Sequence, residues 1–250
     1  MKGELYKKLV VVGVFAMAMA FVESLIVVYL RLLYYPNGFV FPLNPFMDSW
    51  VYSIEIAREF STIVMLVCVA ILAAKKFYVR FAYFLYAFAV WDIFYYVWLK
   101  VILNWPISFF EWDVLFLIPI PWVGPVLAPL ICSVVMIILT FIVINFEDSG
   151  YDTKMVLREW IFLIVGVVII LYTWVIDFGL LIIRGGFVGD FFGLLNNREF
   201  RTIVSEFVPV GYNWIVFGVG IGLVMVGVVL YYVRVGRMGV KKKKVGRKIE

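Results

Sequence analysis

Histidine is absent from this 250-residue sequence, and so is glutamine. Without an imidazole the chain supplies no histidine ligand to haem, no histidine-bearing zinc site and no Ser-His-Asp relay. Cysteine is nearly absent: Cys68 and Cys132 each lie in an apolar run, which argues against a disulfide framework or a thiolate metal cluster and reads as packing. No residue spacing matches a metal or nucleophile motif, so the metal content is left open. The lack of thermolabile glutamine fits a hot source. Charge is scarce as well, at 16% of residues.

What fills the chain is hydrocarbon. Hydrophobic residues make up 65%, and the mean hydropathy is +1.05. A water-soluble domain cannot hide so much apolar surface, so the excess must face lipid. A spanning helix with its connection takes roughly 35–45 residues, so the length allows about six. The apolar runs place spans near 9–33, 50–74, 80–103, 125–145, 159–183 and 209–233. The expected fold is an all-α polytopic helix bundle over residues 1–235, followed by a basic tail at 236–250. The first run resembles a cleavable leader, with Ala-Met-Ala at 18–20, but it resumes after Glu23 and continues to Leu33; it is read as an uncleaved span.

Orientation follows from the cations. If the N-terminus lies inside, sixteen Lys and Arg fall on inner segments and four on outer ones. That bias predicts both termini inside, in a multi-pass protein of a prokaryote-like cell membrane. It also accounts for the net charge of +5, with no need for a nucleic-acid partner. The expected partners are the bilayer, anionic lipid at the KKKK tail, and further copies or subunits of a membrane complex.

The outer connections are long and apolar. Pro119, Pro121 and Pro125 forbid a helix across 106–124, which is read as an interfacial or re-entrant segment over the outer mouth. A short amphipathic helix is expected near 198–207. Trp98, Trp105, Trp112 and Trp122 stand where interfacial belts form. Gly218 and Gly222 make a GxxxG pair suited to close packing, inside the bundle or between copies.

Charged side chains inside spans are costly and usually mark function. Spans one, three and five each carry an acid followed seven or eight residues later by a base: Glu23 and Arg31, Asp92 and Lys100, Asp177 and Arg184. At about 1.5 Å per residue the base lies roughly 11–12 Å further out. Residues 20–31 and 89–100 align without gaps, as a duplicated hairpin would. On span two, Glu55 and Glu59 share a face beside Arg58. Converged, these groups make an outer vestibule. Glu23, Glu55, Glu59, Asp92, Asp177 and Tyr96 would bind a ligand or proton, with a hydroxyl of Tyr96 or its neighbour Tyr95 as the partner of Asp92. Arg31, Arg58, Lys100 and Arg184 would form a rim for anions. The first functional reading is a proton- or cation-coupled transporter of a small molecule. The second is a non-catalytic subunit of a membrane complex. The third is an enzyme acting on a lipid or isoprenoid phosphate at the outer leaflet.

Overall fold

The computed structural model describes residues 3–43 and 48–238. It is an all-α helix bundle with six helices long and apolar enough to cross a membrane. They are α1 (Glu4–Tyr34), α2 (Ser49–Ala73), α3 (Phe77–Leu103), α4 (Leu127–Asp148), α5 (Leu157–Arg184) and α7 (Trp214–Met238). The expected span boundaries agree to within a few residues, with the last span displaced toward the C-terminus because Pro209 and Gly211 hold the chain out of helix up to Asn213. The amphipathic α6 (Arg198–Glu206) stands where its pattern put it; Asn197 caps it, its side chain accepting from the Phe200 amide at 3.1 Å. A 3-10 segment, Phe187–Asn196, precedes it.

The segment read as interfacial or re-entrant is a β-hairpin. Strand β1 (Trp112–Phe116) pairs antiparallel with β2 (Trp122–Pro125), Asp113 opposite Gly124, with a bulge between Val114 and Phe116. The prolines block a helix, as expected, but the apolar segments on either side of Pro119 and Pro121 satisfy their backbone as a ladder instead. The basic tail beyond Met238, with its proposed contact to anionic lipid, lies outside the described residues.

The helices alternate in direction, so the chain's described ends lie at one end of the bundle. There, the Gly3 amide reaches Asp148 at the end of α4 at 3.3 Å. Lys8 donates to the Ala73 carbonyl at 3.0 Å, and the Tyr83 hydroxyl to the Leu5 carbonyl at 2.8 Å. Arg234 of α7 grips Glu159 of α5 with two nitrogens, at 2.6 and 2.9 Å, and Lys76 pairs with Glu147. The hairpin, the 3-10 segment and α6 gather at the opposite end.

Helix α3 packs against α1, α2 and α4, while α5 and α7 form a close pair. Small residues set both approaches. Ala16 and Ala20 of α1 and Ala82 and Ala87 of α3 are fully buried. On the second pair, a methyl at Gly166 would lie 2.7 Å from the Gly220 carbonyl oxygen, so these backbones touch. The expected GxxxG residues do not serve this contact: nothing lies within 4 Å of a methyl built at Gly218 or Gly222, and Gly220 and Gly227 face α5 in their place. Cys68 likewise faces outward from the bundle and not into its core.

Helix α5 meets the first group of helices through the hairpin, through α7 and directly where Trp160 packs on Phe81 of α3, ring centres 5.3 Å apart. Trp122 stacks on Trp174 with centroids 5.8 Å apart, and Phe146 of α4 packs against Tyr231 and Tyr232 of α7. Trp98, which donates to the Met17 carbonyl at 3.2 Å, is likewise a packing residue beyond its belt position.

Candidate functional site

Helix α2 is the periphery of the first group, and its buried stripe explains why. It runs Val51, Glu55, Glu59, Thr62, Leu66, Ala70, Ala73, a repeat of threes and fours that presents one face to α1 and α3. Toward the termini that face is apolar and packs closely. Toward the hairpin it is acidic, and there the helices stand apart around a cavity of about 140 Å³. Glu23, Arg31, Glu55, Arg58, Glu59 and Asp92 line it, with β1 across its top.

Arg58 is the hub. Its Nη1 pairs with Glu23 of α1, its Nε donates to Glu55 at 2.9 Å, and its Nη2 lies 3.9 Å from Glu59. One guanidinium thus serves three carboxylates. Glu23 is almost wholly buried and also accepts from the Thr62 hydroxyl at 2.5 Å, while Glu59 accepts from the Leu117 amide at 2.8 Å. That last bond satisfies a backbone donor just beyond β1, which would otherwise be orphaned. It also ties α2 to the hairpin.

A second buried pair closes the cavity on the α1 side. Arg31 donates to Asp113 at 2.9 Å, and Asp113 also accepts from its neighbour's amide, that of Val114, at 2.9 Å and from the Tyr96 hydroxyl at 3.3 Å. The guanidinium carbon of Arg31 lies 3.7 Å from the centre of the Trp105 ring and 4.4 Å from that of Phe39. Both are favourable cation–π placements. Burial pushes the Asp113 carboxyl up to about 6, with Arg31 and the two hydrogen bonds pulling the other way.

Asp92 accepts from Ser133 of α4 at 2.8 Å and opens onto the cavity. The expected Asp92–Tyr96 contact is not the one formed: one turn along α3, Tyr96 turns to the hairpin, and the serine of the neighbouring helix takes Asp92 instead. Beside them Trp91, Tyr95 and Tyr96 build a continuous aromatic wall, with ring centres 6.3 and 5.1 Å apart along it.

Six of the nine charges read as one vestibule therefore do meet, and three do not. Lys100 is exposed and turns to the carbonyls of Asn104 and Pro106, at 3.4 and 3.0 Å, where α3 ends. Arg184 is exposed at the end of α5. Asp177 also lies on α5, which contributes nothing to the cavity wall because the hairpin stands between. The idea of an acidic floor under a separate cationic rim fails as well: Arg58 sits among the acids, and Arg31 is paired through Nη2 with Asp113, its Nη1 left buried without a hydrogen-bond partner. Asp113 itself was not among the expected residues. Its only signal was its place, two residues after Glu111, in an apolar stretch that no helix could hold.

Toward the termini the cavity stops at Thr62. Beyond it Leu66, Ala70, Ala16 and Ala20 close the bundle. Among the described residues, no three acidic or thiol side chains are placed to hold a metal ion. No protein family, curated protein or solved structure matches the chain. The fold and this cavity define the class: a multi-pass membrane protein with a polar chamber off its central axis.

Proposed function

We propose that the chain binds a small molecule in this cavity and couples its passage to protons or a cation. The observation that supports the reading is the charge balance around Arg58. Five carboxyl groups line the cavity against two guanidinium groups. In a water-poor site an excess of three negative charges is not sustained, because an uncompensated buried carboxylate costs several kcal/mol, on the order of the penalties known for single buried ions. Protons or a bound cation must balance it. A chamber whose charge state depends on what it holds is the elementary requirement of coupled transport.

The closed floor below Thr62 supports a second reading, a ligand-sensing subunit of a larger complex, in which the cavity never opens to the other side. Reconstitution separates the two. The full chain in sealed vesicles, with an entrapped pH dye, is given an imposed sodium, proton or tetramethylammonium gradient. Transport predicts dye-reported proton flux that Glu23→Gln and Asp92→Asn abolish. Silence under every gradient would remove transport and leave the subunit.

A further inference from the structure

The same cavity carries a more specific conclusion, resting on the reading that it takes a charged small molecule. We propose that its ligand is a small organic ammonium ion, admitted in exchange for protons.

Three observations narrow the class. Both arginines are already paired with carboxylates, and what is left over is the Arg31 Nη1, buried without a hydrogen-bond partner. Arg31 is paired with Asp113 and enclosed by Phe39 and Trp105, while Arg58 is shared among Glu23, Glu55 and Glu59. A phosphate or carboxylate entering here would face five carboxyl groups against two guanidinium groups already paired with them. The carboxylates are also dispersed along α1, α2 and α3, and the described residues offer no triad that could encircle a bare divalent ion. Finally, the free wall is aromatic. Trp91, Tyr95 and Tyr96 line α3 between Asp92 and the hairpin, and Tyr52 and Phe116 line it from α2 and β1.

Carboxylates beside aromatic faces are the surroundings that hold an ammonium group, which draws on ring quadrupoles as well as on charge. The chain already uses this chemistry on itself, holding the Arg31 guanidinium between two aromatic faces and a carboxylate at one corner of the cavity. A second such place, between the α3 wall and the acids of α2, is left for a ligand. A volume of about 140 Å³ suits a cation of a few heavy atoms.

Exchange for protons follows from the groups that face this space. Helix α1 presents Glu23 and Arg31, and α2 presents Glu55, Arg58, Glu59 and Tyr52. Helix α3 presents Asp92, Tyr95 and Tyr96, the hairpin presents Asp113, and the loop after α1 presents Tyr35. The carboxyl groups are the ones that can trade a proton for a bound cation: each O–H bond that breaks releases its proton to water, and the ammonium takes over the balancing charge.

The test is binding by the purified full chain in detergent, by calorimetry, with tetramethylammonium as probe and sodium and inorganic phosphate as comparators. Saturable tetramethylammonium binding is expected, with proton release into weak buffer and affinity that falls as pH drops from 8 to 5. Tyr95→Leu should weaken it about tenfold, the scale of one desolvated cation–π contact. Glu59→Gln, which keeps an acceptor for Leu117, should weaken it and reduce the protons released, and circular dichroism melts report whether each variant is folded. Binding of phosphate or of sodium alone, or no saturable binding of tetramethylammonium, overturns the proposal. Ammonium binding with silent vesicles removes transport and keeps the ligand class; proton flux without ammonium binding does the reverse.

Discussion

Arg31 and Asp113 lie 2.9 Å apart, one on a spanning helix and one on a hairpin strand, and both are more than nine-tenths buried. The pair is not symmetric. Burial has already pushed Asp113 up to about 6, so a neutral group is tolerated there. Arg31→Met leaves a carboxyl that can take a proton in place of its partner, whereas Asp113→Asn leaves a guanidinium buried with no counter-charge. Asp113→Asn is therefore expected to cost about 3–5 kcal/mol at neutral pH, the range for one-sided loss of a buried pair. Arg31→Met should cost distinctly less. Thermal unfolding in detergent measures both, and equal losses would refute the asymmetry.

The same carboxyl sets a pH dependence. Its folded value lies above the ordinary 3.8, so the folded chain holds the proton more tightly than the unfolded chain does. The stability this contributes is complete below about 4 and is lost as pH rises through about 6. The wild-type melting temperature, taken relative to Asp113→Asn, should therefore fall between pH 4 and 6 and level off above. A rise over that interval would show that Arg31, and not burial, dominates.

Glu59 joins α2 to the hairpin through the Leu117 amide at 2.8 Å. Glu59→Gln retains an oxygen acceptor and should leave the Leu117 amide protected from hydrogen exchange. Glu59→Ala removes it and exposes a buried donor, at a cost of about 1–3 kcal/mol. Exchange at that amide should rise in the alanine variant alone. Unchanged protection in Glu59→Ala would mean that the hairpin is held from elsewhere.

The α5–α7 contact leaves no room for a methyl at Gly166 or Gly220, since each would meet backbone of the other helix at 3.0 Å or less. Gly166→Ala and Gly220→Ala should each lose about 1–3 kcal/mol by overpacking. Gly218→Ala, two residues away with nothing within 4 Å, should unfold like the parent. A destabilised Gly218→Ala would indicate that this face packs against something further.

How far the chain could be read from its residues follows from which interactions are local. Hydropathy and helix-breaking prolines act within one segment and against a solvent known in advance, so the six spans and the break in helix at 106–124 were legible, while the hairpin that fills it was not. The pairing of Glu55, Arg58 and Glu59, which share one helix, was likewise legible. The depth of a charge was legible too, because rise per residue is constant. Its azimuth was not. Asp177 and Arg184 repeat the pattern of Glu23 and Arg31 at matching depth, yet α5 lies behind the hairpin and takes no part in the cavity. Lys100 is diverted by carbonyls exposed where its own helix ends. Asp113 could not be assigned to Arg31, because the two are separated by 82 positions and meet only once β1 folds across the bundle. Lipid and water specify what each segment must be; which acid faces which base depends on how the helices turn about their axes, and that is set by small residues such as Ala16, Ala87 and Gly166 acting between segments.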